Sequence, residues 1–319
     1  MGRPGPSRGG SGFPHPRLIE PPNLAAPMGA DETQSRWQLL SPRARRVISV
    51  TGVVLALVAA WEIYKLIWSA LAWTWPVRPD DIVMPHVWDM VIELFSPVRR
   101  GGNLLILDLV GRSVWTMREA LAGFVIGGLF GFGIGVWFAR SRLASRAFMP
   151  YVVASQTVPF LAIAPMVVVW GLNNGIPAWA SVSIIAAYLT FFPVAINTLR
   201  GLLSPDPNSL ELMHSFASSP RDVLWKLQVP AALPYIFTAL KVTATASIVG
   251  ALVGELPVGF QNGLGRALLT FSQQFAVQSK KLYGTVIICA LVGLLFVGLV
   301  SWVERKVIPQ RRGEVEVVA

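Results

Sequence analysis

An all-α integral membrane protein of about six transmembrane helices is the fold the 319-residue sequence predicts, and three observations predict it. The composition is 53% hydrophobic and only 14% charged, with a mean hydropathy of +0.55, on the apolar side of a soluble domain. Apolar runs of about 20 residues, the length a bilayer core demands of a helix, recur along the chain. The 27 Lys and Arg residues, which give a formal charge of +10, sit mostly in short clusters flanking those runs, where topology signals lie. That distribution argues against nucleic-acid binding, which gathers its cations on one face or stripe. The single cysteine, Cys289, lies inside an apolar run, so no disulfide framework or cysteine-based metal site is expected.

Residues 1–46 are rich in Pro, Gly, Ser and Arg without apolar period, and are expected to form a disordered tail. Residues 47–71 are too long an apolar run for a signal-peptide core and lack a convincing cleavage site, so they read as a retained first span. Trp73 and Trp75 follow it as an interfacial belt. Within this span, Glu62 and Lys65 are three apart and are expected to pair. In the outside segment that follows, residues 85–95 (PHVWDMVIELF) have the spacing of a short amphipathic helix on the outer membrane surface.

Five further spans are expected at about 120–139, 148–170, 176–199, 236–257 and 283–303, so the membrane domain covers residues 47–308 and a short tail, 309–319, ends the chain. With a cytoplasmic N-terminus, the inside segments collect about seventeen Lys and Arg residues against about eight outside, so both termini are expected in the cytoplasm. The second span carries Gly123, Gly127, Gly131 and Gly135 at four-residue intervals, a smooth ridge that serves as a packing seam or as a dimerisation face. Pro150, Pro159 and Pro165 in the third span and Pro193 in the fourth are expected to kink or partly unwind those helices, either lining a pathway or shaping packing.

Residues 200–235 form a polar, amphipathic insert between apolar runs. Its start, SPDPNSLELMHSF, offers Asn208 or Ser209 as N-cap of a short helix. The stretch 217–220 (ASSP) stops that helix, because Pro220 biases Ser219 away from helical backbone. A second short helix is expected over 221–228, with Val223, Leu224 and Leu227 on one face and Arg221, Asp222 and Lys226 on the other, ended by Pro230; Pro234 then starts the next span. Two short helices joined by a tight turn make a rigid knob suited to a groove of a soluble partner.

These residues resemble the inner-membrane permease subunits of bacterial ABC importers, whose cytoplasmic signature reads E-A-A, three residues, G, nine residues, I-x-L-P. Glu211-Leu212-Met213 stands at the triplet, Ala217 at the glycine and Leu227-Gln228-Val229-Pro230 at the end, with the spacing intact. Alanine at 217 implies a turn that does not need positive φ. The resemblance covers about residues 47–308. RSVWTMREALAGFVIGGLFGFGIG, QTVPFLAIAPMVVVWGL and VPAALPYIFTALKVTATASIVGALVGEL look like the nitrate/sulfonate/taurine branch, which includes importers of pyrimidine thiamine precursors; GELPVGFQNGLG is closer to the latter.

The resemblance implies a type I permease fold in the bacterial inner membrane, working by alternating access. It makes residues 211–228 the coupling helix region, with Glu211, Ala217, Ser218, Arg221, Leu227 and Pro230 at the ATPase contact. It also implies the partners: two copies of a cytoplasmic ABC ATPase, a second permease copy, and a periplasmic or lipid-anchored solute-binding protein. The expected solute is small and polar or anionic, or a pyrimidine thiamine precursor. The chain has no GxxxxGK[ST] loop, so ATP hydrolysis is expected in a partner, and no cofactor is expected.

Polar groups in the spans are the pathway candidates, since each is costly in lipid: Gln156, Thr157, Asn197, Thr243, Thr245, Ser247 and Glu255. Glu255, near the outer end of the fifth span, either gates or contacts solute or accepts structural hydrogen bonds. His86 and His214 have no ligand spacing, and His15 lies in the tail, so no metal site is expected. No histidine lies in a span and no G-x-S-x-G or H-E-x-x-H occurs, which argues against an intramembrane hydrolase. An ion-coupled secondary transporter or channel is the rival reading, although the sequence has no evident internal repeat; a purely structural anchor is a third.

Overall fold

A computed structural model describes residues 41–99, 101–257 and 262–308. The expectations for 1–40 and 309–319 lie outside the described residues. Among those described, all regular structure is helical. Among the described residues, five helices are long and apolar enough to cross a membrane, or six if a bent pair counts as one span. The chain is a multi-pass membrane protein.

The chain divides into two units at Trp61 and Glu62, a boundary that falls within the first helix, α1 (Pro42–Ala70). In the first unit the helix begins at Pro42, so residues 42–46 belong to it rather than to a tail; Pro42 fits there because a first-turn proline forfeits no helical hydrogen bond. Val50, Val53 and Leu57 are exposed.

In the second unit, Glu62 and Lys65 do not pair with each other. Lys65 Nζ donates to Asp81 Oδ1 at 2.6 Å, and Glu62 accepts from the Val87 N–H at 2.9 Å and lies 2.7 Å from His86 Nδ1. The segment after α1 folds back to supply these partners, which are 16 to 25 residues away in sequence. The Lys65 ammonium holds the Asp81 carboxyl below its ordinary range.

The amphipathic helix is α2 (Val87–Glu93). It packs on protein rather than lying alone on the surface: Lys280 bonds Asp89 at 2.8 Å, Tyr283 OH donates to Val83 O at 2.6 Å, and Leu94 comes close to Gly284.

Helix α3 (Leu105–Arg140) is 36 residues long, about 54 Å at the helical rise, so the expected span is only its C-terminal part. Asp108 in its first turn and Arg140 in its last complement the helix dipole. The expected third span is two helices, α4 (Arg142–Ser155) and α5 (Phe160–Asn173), bent by 93°. Ser141 caps α4 by accepting from the Ala144 N–H. The break falls at Pro159, whose ring pushes Val158 out of the helical region, whereas Pro150 and Pro165 are carried inside their helices.

Helix α6 (Ala178–Leu202) continues unbroken through Pro193. It is the centre of the bundle, with Val182, Ala186, Thr190, Val194, Ala195 and Leu202 buried. The glycine ridge of α3 packs against it. A Cβ on Gly123 would lie 2.5 Å from Ser183 O, one on Gly127 2.9 Å from Ala187 Cα, and one on Gly135 2.6 Å from Thr198 Cβ. The ridge is therefore filled from within the chain, as an intramolecular seam.

The polar insert after α6 holds α7 (Pro207–Ser215) and a single turn, α8 (Pro220–Asp222). The chain then runs as a π-helix (Val223–Gln228) directly into α9 (Val229–Gly254). After α9 come α10 (Leu264–Gln273) and α11 (Phe275–Val307), the latter with non-helical backbone at Gln278. Leu105, Leu109, Val168, Val182, Ile248, Leu264, Phe271 and Phe296 form the main core.

Candidate coupling interface

The insert between α6 and α9 is braced at both ends. A Cβ on Gly201, near the end of α6, would lie 2.8 Å from Ala232 Cα, so the two helices approach backbone to backbone where the insert leaves and rejoins the bundle. Leu224 is buried with Leu202, Ala232 and Ile236, against Phe132, Val136 and Ala139. That burial contributes about 1.5–3 kcal/mol and seats the insert on α3 and α6.

Helix α7 starts two or three positions earlier than Asn208 or Ser209 as N-cap would place it. Asp206 is its N-cap, accepting from the Asn208 N–H, and Pro207 fills the first helical position, where a missing donor costs nothing. Its end corrects the reading of Ala217. This residue has φ +50°, the left-handed region, so the turn does need positive φ and alanine occupies it. The Ser218 N–H donates to Met213 O at 3.1 Å and the Ala217 N–H to His214 O at 2.9 Å, the paired bonds of a Schellman turn. Those bonds satisfy the last carbonyls of α7 and hold the backbone at 217.

Ser219 is extended, as the proline after it requires, and its hydroxyl caps α8 by accepting from the Asp222 N–H at 3.2 Å. Asp222 pairs with Lys226 one turn on at 2.6 Å. The expected second short helix is not separate. Pro230 and Pro234 do not interrupt it, because the wide π turn over 223–228 precedes Pro230, so its missing N–H and its ring are accommodated without a break. The surface is thus one short helix, a Schellman turn and the first turns of a long membrane helix.

Glu211, Ala217, Ser218, Arg221, Leu227 and Pro230 all lie on this element: Glu211, Ala217, Arg221 and Pro230 are exposed, and Ser218 and Leu227 half-buried. Leu212, Phe216 and Trp225 are also exposed, at 57%, 74% and 59%. The sequence reading passed over these three; large apolar residues in an otherwise polar insert were the signal.

The pathway candidates separate. Gln156 and Thr157 are exposed at the α4–α5 break, where Tyr188 OH donates to Ser155 O and Thr157 Oγ1 donates to Ala154 O at 2.7 Å. Asn197 is half-buried and donates to Pro193 O at 2.8 Å, and Thr245 is exposed. Thr243 and Ser247 are fully buried, their hydroxyls spent on Leu240 O and Ala244 O of their own helix. Glu255 is fully buried too, bonded to Thr116 and the Gly265 N–H. Among the described residues, no group of three or more His, Cys, Asp or Glu side chains could hold a metal ion.

Comparison with known proteins places this arrangement. Residues 127–310 match the family described as the binding-protein-dependent transport system inner membrane component. The chain is 30% identical over 238 residues to the formylaminopyrimidine transport permease protein ThiX of Halalkalibacterium halodurans, covering 75% of this chain and 91% of the relative. It is 29% identical to the putative aliphatic sulfonates transport permease protein SsuC of Bacillus subtilis over 64% of this chain and 71% of that one. With the nitrate import permease protein NrtB of Leptolyngbya laminosa, identity is 24% over 91% and 99% of the two chains. The inward-facing MetNI methionine ABC transporter shares the fold at a TM-score of 0.55 and 16% identity, over 64% of this chain and 98% of that one. By the family match and the ThiX similarity, this chain belongs to the inner membrane components of binding-protein-dependent transport systems.

Proposed function

We propose that this chain is the permease subunit of an ATP-driven ABC importer and that residues 203–228 are the surface that receives the ATPase. The observation that carries the reading is the exposure of Leu212, Phe216 and Trp225, with Glu211 and Arg221 beside them, on an element whose backbone is fixed by a Schellman turn and by buried Leu224. Exposed aromatic side chains on a rigid support are what an interface hot spot requires. Glu211, Ala217, Ser218, Arg221, Leu227 and Pro230 frame that surface.

Family membership supports the remaining parts of the reading. ATP is hydrolysed by a separate cytoplasmic subunit, since the chain has no phosphate-binding loop of its own. Two ATPase copies, a second permease copy and an external solute-binding protein complete the machine, in the bacterial inner membrane with both permease termini cytoplasmic. The solute is small and polar or anionic, or a pyrimidine thiamine precursor, as in the relatives named above. Gln156 and Thr157 are the pathway positions best supported, because irregular backbone at membrane depth is tolerated only against protein or a water-filled cavity. Asn197 flanks them, whereas Thr243, Ser247 and Glu255 serve the helix packing.

Reconstitution tests this reading. Purified permease in vesicles, given the ATPase and binding protein encoded with it, takes up solute only with ATP. Replacing Phe216 and Trp225 by aspartate abolishes uptake while the permease remains inserted. ATP-independent flux by the permease alone, driven by an ion gradient, overturns the assignment in favour of a secondary carrier.

A further inference from the structure

We propose that Glu119 and Glu255 form a buried carboxyl pair that binds a single proton, and that this proton fastens α10 to α3 and α9. Glu255 directly follows α9 and has no exposed surface. Its Oε1 accepts from the Thr116 hydroxyl at 2.7 Å and its Oε2 from the Gly265 N–H at 2.6 Å. The Thr116 hydroxyl in turn accepts from the Leu264 N–H at 2.9 Å. The first two N–H groups of α10 are thus both consumed by this cluster, with a carboxylate at the positive end of the helix. Glycine makes the approach possible: Gly263 has φ +99°, and a Cβ on Gly265 would lie 2.9 Å from the Leu252 carbonyl carbon and 3.0 Å from Glu255 Cβ.

Glu119 lies one turn along α3 from Thr116 and is 3% exposed. Its carboxyl is within hydrogen-bonding reach of Glu255, and among the described residues its Oε2 has no hydrogen-bond partner. Among the described residues, the charged groups nearest the pair have partners of their own, and Arg118 acts on Glu119 through space. On α3, the Arg118 guanidinium lies over the rings of Trp115 and Trp179, 5.6 and 4.8 Å from their centroids, and Arg112 is bonded to Asp108 at 2.7 Å. From α6, Ser183 donates to the Glu119 main-chain carbonyl rather than to its carboxyl. From α11 comes the partly buried Cys289 side chain, and from α10 the Leu264 and Gly265 main-chain N–H groups.

A bond between two carboxyls needs one hydrogen, and the donors already on Glu255 place that hydrogen on Glu119. Glu119 is then the neutral donor and Glu255 the carboxylate. Removing the proton leaves two negative charges facing each other in a water-poor site, which breaks their contact and releases α10. Helix α9 runs from the coupling insert to this pair, about 39 Å for its 26 residues, so a shift at one end reaches the other through a single element. The proton site does not depend on the identity of the solute or of the ATPase.

The test uses the full-length chain in lipid nanodiscs. Infrared spectroscopy reads the protonated carboxyl, and hydrogen exchange reads the Leu264 and Gly265 amides across a pH series, corrected for intrinsic rates. Wild type shows a protonated-carboxyl band and loses amide protection as pH rises. Glu119→Gln, which keeps a donor toward Glu255, loses the band and keeps the protection at every pH. Glu255→Gln exchanges about tenfold or more faster throughout, as expected for loss of a charged acceptor. A band that persists in Glu119→Gln, or a Glu119→Gln protection profile that follows wild type with pH, overturns the proposal.

Discussion

Ala217 is the residue at which coupling geometry and backbone strain meet, and its replacement gives a quantitative expectation. An L-residue in the left-handed region costs about 1–2 kcal/mol, and Ala217 sits there at φ +50° with only a methyl side chain. Ala217→Gly removes that cost but restores about 0.5–1 kcal/mol of chain freedom to the opened state. The net is about 0.5–1 kcal/mol in favour of the closed turn, roughly a two- to fivefold reduction in local opening. Ala217→Val acts in the opposite sense, because a β-branched side chain fits this φ worst, and opening rises about tenfold or more. Hydrogen exchange of the Ala217 and Ser218 amides, the two donors of the Schellman turn, measures both changes directly. ATPase co-purification should follow the same order, with glycine at least equal to wild type and valine reduced. Faster exchange in the glycine variant, or a valine variant indistinguishable from wild type, would refute the assignment of strain to this turn.

The seam between α3 and α6 should tolerate no added volume. Gly127→Val should cost at least about 1–3 kcal/mol and lower the melting temperature in detergent, whereas Gly133→Ala, with open space around it, should be neutral or slightly stabilising. Elsewhere, Asp81 has its carboxyl depressed by Lys65, so the tie between α1 and the segment that follows it is present above the ordinary carboxylate range and lost as pH falls below it. Exchange at Met84 should therefore rise on acidification, and Asp81→Asn should reduce that dependence. Leu224→Ala should cost about 2–4 kcal/mol and loosen the insert without unfolding the bundle, read as faster exchange over 207–228 with the α6 amides still protected.

What was legible in the sequence had a local cause. Apolar run length revealed the helices, and four-residue glycine spacing revealed the ridge, because both are properties of a single element. The spacing from Glu211 to Pro230 marked the polar insert for the same reason. What was not legible depended on partners distant in sequence. Lys65 chose Asp81 over Glu62, and Glu255 found Thr116, 139 residues away. The prolines were over-read as breaks: Pro193, Pro230 and Pro234 are carried within continuous helix, one of them behind a π turn, while Pro159 breaks its span as expected. Ala217 misled because residue type suggested an ordinary turn, whereas the hydrogen bonds closing α7 impose a left-handed one.

The central claim, that residues 203–228 receive an ATPase, is tested most directly by purifying tagged permease from native membranes in mild detergent and identifying the proteins that accompany it. Wild type should bring down an ATPase subunit, and Glu211→Lys or Phe216→Asp should lose it while retaining the same membrane insertion. Wild type without an ATPase, under conditions that preserve other membrane complexes, or variants that retain it in full, would contradict the account.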